Sequence, residues 1–88
     1  MEDIGGQVIR EAVYEAIHNQ LRDRTPPETQ QTLSRLMKAG IPEDEAMKLI
    51  GSVVLCEIFD VLKENRPFDE KKYIKALKAL PKLQWEDE

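Results

Sequence analysis

Residues 42–65, PEDEAMKLIGSVVLCEIFDVLKEN, are the most apolar helix-length run in the chain, and their reading decides the fold. Pro42 suits a helix start, where its missing N–H leaves no bond unmade. Glu43, Asp44 and Glu45 follow in the first turn, where the positive end of the helix dipole favours carboxylates. Ala46, Met47, Leu49, Ile50, Val53, Val54, Leu55, Cys56, Ile58, Phe59, Val61 and Leu62 then cover most of a helical wheel. Only a strip of Glu45, Lys48, Ser52 and Lys63 is polar. A helix apolar on more than one face is central in its fold or shared with another subunit. Arg66-Pro67 ends it.

Upstream, Gly40 reads as the left-handed residue closing a helix over 26–39, with Ile41 folding back on Leu36. That helix is expected to bury Leu33, Leu36 and Met37 and to expose Gln30, Gln31, Arg35 and Lys38. Thr25, Pro26 and Glu28 read as N-cap, N1 and N3 of a capping box. A first helix over 6–22 carries Val8, Ile9, Ala12, Val13, Ala16, Ile17 and Leu21 in one broad stripe. Downstream, Asp69 is an N-cap for a helix over 70–80, with Phe68 and Tyr73 spaced as a hydrophobic staple. Ile74, Ala76, Leu77 and Leu80 complete its inner face, and Pro81 opens a tail over 81–88. The expected architecture is all-α: a four-helix, bundle-like single domain over 1–88 with the third helix central.

Size and charge narrow the function. At 88 residues there is little room for a large internal cleft. The net charge of −4 argues against a general nucleic-acid binder. Cys56 is the single cysteine, which excludes an internal disulfide and a multi-cysteine zinc site, and its apolar surroundings make it a packing residue. Residues 1–25 show no signal-peptide core, and the longest uncharged run, 49–56, is too short to span a bilayer. The expectation is a soluble cytoplasmic protein that does not enter membranes.

Two segments carry a family resemblance. One is His18-Asn19-Gln20 leading into Pro26-Pro27-Glu28-Thr29; the other runs from Leu33-Ser34-Arg35-Leu36-Met37 through Gly40 to Glu45-Ala46 and Ile50-Gly51-Ser52. Over roughly residues 10–65 the chain resembles a family of small bacterial helical proteins, a domain of unknown function. Its His/Glu motifs imply a divalent-metal site between the first and third helices. On this chain the positions fall at Tyr14 and His18, and at Asp44, Glu45 and Lys48. His18, Asp44 and Glu45 are thus the metal candidates, with Tyr14 and Lys48 standing where better ligands would be.

Four other features are candidates for interaction. Glu57 falls among apolar positions, where a carboxylate is costly without a partner, so it reads as a functional acid or a helix-margin Glu paired to Arg10, Arg22 or a lysine. Lys71, Lys75, Lys78 and Lys82 form one stripe on the last helix, either a solvated face or a weak contact for a nucleic acid such as RNA or for an acidic partner. Trp85 is a packed-back tail residue or a subunit anchor. Surplus apolar surface on the third helix points to self-association. A non-enzymatic structural or interaction module, with an unknown protein partner and no resident cofactor, is the leading expectation.

Overall fold

The computed structural model describes residues 4–83, with side chains from Val8 onward. It contains four helices: α1 (Ile4–Asp23), α2 (Pro27–Lys38), α3 (Glu43–Glu64) and α4 (Glu70–Ala79), with no strand among the described residues. The all-α expectation holds. α3 packs on α1, α2 and α4, as a central helix should, but α2 also packs on all three others. The centre is therefore shared by the longest helix and a twelve-residue one. Ile17, Leu36, Ile50, Tyr73, Leu77 and Leu80 are the large side chains at the middle of the core, at least one from each helix or its end.

The reason α2 sits so deep was hidden by polarity. Its inner face is Thr29, Thr32, Leu33 and Leu36, at the i, i+3, i+4, i+7 spacing of a buried stripe, and two of those four are threonines. Met37 falls one position beyond the stripe and is 45% exposed, contrary to the sequence expectation. Thr29 is accommodated because its hydroxyl donates to Oε1 of Gln20 at 2.7 Å, and the Tyr73 hydroxyl donates to the same oxygen at 2.9 Å. One carboxamide thus joins α1, α2 and α4. Burial pushes the Tyr73 phenol above its ordinary range, keeping it a neutral donor.

The start of α2 also corrects the sequence reading. A residue before proline is pushed out of the helical region, and Pro26 precedes Pro27. Pro26 accordingly has φ −76° and ψ 153° and is itself the N-cap, so the helix begins at Pro27. Thr25 lies one residue too early to cap it, and its hydroxyl donates instead to the Asp23 carbonyl. At the other end the expectation is met. Gly40 has φ +98°, the Gly40 N–H donates to Met37 O, and the Ile41 N–H reaches back to Leu36 O. Ile41 packs against the core.

α3 runs antiparallel to α1 and packs against it. A Cβ on Gly51 would stand 3.3 Å from a methyl of Val13 and 3.6 Å from the Tyr14 ring, so the absent side chain sets the helix spacing here. Ala46, Met47, Ile50, Val53 and Val54 of α3 are buried, but Ile58, Phe59 and Leu62 are exposed. The apolar wheel is core only in its first half. On α1, Val13 and Ile17 are core, while Val8 and Ile9, expected in the same stripe, are exposed.

Candidate functional site

Along α1 and α3 the uncovered apolar residues meet in a groove of about 400 Å³. Its floor is Ile9, Val13, Gly51, Leu55 and Phe59, and its walls carry Arg10, Tyr14, Lys48 and Ser52. Leu55, Phe59 and Leu62 fall at i, i+4 and i+7 on α3, so the groove continues as a ridge toward the helix end. Phe59 is 56% exposed and Leu62 72%. Among the described residues, nothing buries either. Leu55, expected as core, is half-buried and forms part of the groove floor while still touching the core.

The opposite side of α3 is built quite differently. Glu57 is only 2% exposed and accepts two hydrogen bonds, from Arg66 Nη1 at 2.8 Å and from the Asp69 N–H at 2.9 Å. Its partner is thus neither Arg10, Arg22 nor a lysine, as expected from the helix face, but a loop arginine nine residues on. Burial drives the carboxyl upward, and the bonds from Arg66 and Asp69 outweigh it, holding Glu57 below its ordinary value. Arg66 also donates to Glu64 through Nε and to the Pro67 carbonyl through Nη1, and its bonds to Glu57 and Glu64 raise its pKa. Lys72 bonds Asp60 at 2.8 Å, drawing that carboxyl down as well. This is a strut between α3 and the start of α4.

Asn65 makes the strut geometrically possible. It caps α3 in the left-handed conformation at φ 52°, and the Arg66 N–H then reaches back to Val61 O. The turn carries the arginine over the last turns of its own helix. Asp69 then caps α4 by accepting the Lys72 N–H, and the Phe68 and Tyr73 rings meet edge to face at 5.4 Å, both as the spacing predicts. One residue missed in sequence completes the arrangement. Arg35, expected simply to be outside, sends its guanidinium to the carbonyls of Leu80 at 2.7 Å and Leu77 at 3.0 Å, capping α4 from α2. Its position in the last turn of α2 was a signal for capping that helix, not a distant one.

The metal candidates come together only in part. His18 and Asp44 line one shallow depression with Tyr14, Glu43 and Met47, while Glu45 falls outside it. Neighbouring residues on a helix point about 100° apart, so Asp44 and Glu45 do not serve one site. Asp44 Oδ1 already accepts the Glu45 N–H at 2.9 Å. No cluster of three or more His, Cys, Asp or Glu side chains suited to a metal ion occurs among the described residues. Lys71, Lys75 and Lys78 are exposed on α4, and Lys82 follows them in the loop beyond. Cys56 is half-buried, and burial pushes its thiol up, away from reactivity. Trp85 lies outside the described residues.

No protein-family model matches the chain, and comparison with the curated proteins and with the solved structures finds no match either. Among the described residues no helix is long and apolar enough to cross a membrane.

Proposed function

We propose that the chain is a non-enzymatic protein-interaction module, with the uncovered apolar surface of α3 and the start of α1 as its working face and a second copy of the chain as its first partner, seated on the Phe59–Leu62 part of α3. The observation that carries this is the exposure of Phe59 and Leu62 on a helix whose earlier turns form the core. Single exposed hydrophobes are ordinary on any protein surface. Ile58, Phe59 and Leu62 share one helix, however, and Phe59 shares a groove with the exposed Ile9 of α1. Contiguous apolar surface of this kind marks contact sites. A cytoplasmic, bacterial setting belongs to the same reading, supported by the lone, half-buried Cys56 and by the resemblance over residues 10–65.

Sedimentation equilibrium at high micromolar concentration tests the self-association. A dimer that becomes a monomer on Leu62→Glu or Phe59→Ser is the expected outcome. A monomeric wild-type chain removes the second copy as partner.

A further inference from the structure

The α1–α3 groove has a sign as well as a shape. Two cations stand on its walls, Arg10 from α1 and Lys48 from α3, and among the described residues no carboxylate lines it. Neither cation is in an ion pair with a described residue. That is against the balance of the chain, which carries 17 acidic residues and 13 basic ones. The groove is also open along its length rather than enclosed. An acyl chain lying in it would leave one side in water, whereas an amphipathic helix keeps its polar side there and buries only a stripe.

From this we infer that the groove seats an amphipathic helix of a partner protein, its apolar anchors flanked by aspartate or glutamate. The inference rests on the reading of the chain as an interaction module and names the chemistry of its partner. Length agrees. Lys48 to Phe59 spans roughly 16 Å of α3 at about 1.5 Å per residue, and the ridge to Leu62 extends it to about 21 Å, three to four turns of a docked helix. Leu55 and Phe59 then face anchors at i and i+3 or i+4, while Arg10 and Lys48 face the acidic flanks. A second copy fits the ridge but not the groove. A two-fold contact through the groove would gather Arg10 and Lys48 from both copies on one interface.

The test uses fluorescein-labelled helical peptides of about 18 residues, long enough to cover the groove and ridge. One carries leucines at i, i+4, i+7 and i+11 with flanking glutamates; a second has every glutamate replaced by lysine. Fluorescence anisotropy should show the wild-type chain binding the glutamate peptide about tenfold more tightly than the lysine peptide, a preference that shrinks with salt. The double variant Arg10→Glu, Lys48→Glu, both at exposed positions, should reverse the order, and circular dichroism checks that it is folded. Amide shift changes on binding should centre on Ile9, Tyr14, Lys48 and Phe59. Equal binding of the two peptides, or an order that survives the charge reversal, overturns the acidic helix; if Phe59→Ser weakens both equally, the interaction module still stands. No binding by either peptide also overturns it. In that case a dimer in sedimentation leaves the module reading intact, and a monomer removes both.

Discussion

The two sides of α3 show what a helix does with its neighbours when its sequence is apolar nearly all round. Toward α4, each exit from the core is occupied: Glu57 meets Arg66 and Asp69, Asp60 meets Lys72, and Phe68 meets Tyr73. Toward α1, beyond the close contact at Gly51, the helices leave a groove and Phe59 and Leu62 stand free. The first side is closed by contacts within one chain. The second leaves Phe59 and Leu62 exposed, so one helix closes one side with paired charges and leaves apolar side chains open on the other.

Substitutions along α3 should separate the two sides by the size and kind of their effects. Ile50, fully buried under the shared centre, should lose about 4 kcal/mol on Ile50→Ala, read from the urea midpoint. Arg66→Ala should cost about 3 kcal/mol, because it strands Glu57 in the interior, and Arg66→Lys should restore only part of it. The same strut fixes the sign of the acid response. Glu57 titrates below its ordinary 4.5 in the folded chain, so its contribution is full above that value and is lost as pH falls through the lower folded one. Urea midpoints measured from pH 7 down to pH 3 should fall steeply for the wild type and less steeply for Glu57→Gln.

Smaller effects sharpen the contrast. Asp69→Ala removes the α4 cap and should cost about 1 kcal/mol. Thr25→Ala, which a capping box would make equally costly, should change stability by less than about 0.5 kcal/mol, since the exposed hydroxyl holds only the carbonyl of the last residue of α1. Leu62→Ser should shift the urea midpoint least, within about 0.5 kcal/mol, yet abolish self-association in sedimentation. A Leu62→Ser loss as large as that of Ile50→Ala would erase the distinction between the two sides.

What the sequence disclosed follows from which signals are local. Gly40, Asp69 and the Phe68–Tyr73 pair act within one turn of their own position, and each does what its spacing predicts. Thr25 misled because two consecutive prolines offer two helix starts, and only the steric demand of Pro27 on Pro26 chooses between them. Glu57 announced that it needed a cation without saying which, because Arg66 reaches it only through the left-handed turn at Asn65. The groove was half legible. The wheel of α3 showed more apolar surface than one chain needs, but which part stays bare depends on where α1 ends its contact, and that is set at Gly51 by packing across helices. Arg10 and Lys48 gave no hint of sharing a rim, being 38 residues apart on different helices.

The two charged clamps on α4 have a consequence for how the molecule opens. With ten residues, α4 is too short to be stable by itself. Its N-cap Asp69 is held by Glu57 and its first turn by Asp60 through Lys72, both acids on α3, and its last carbonyls are held by Arg35 of α2. Amide protons in the middle of α4 should therefore exchange with solvent only in openings that also release α2 or the end of α3. In native-state hydrogen exchange, the shortest helix should show protection near that of the helices that grip it, and it should lose this protection on Arg35→Ala while the middle of α3 keeps its own.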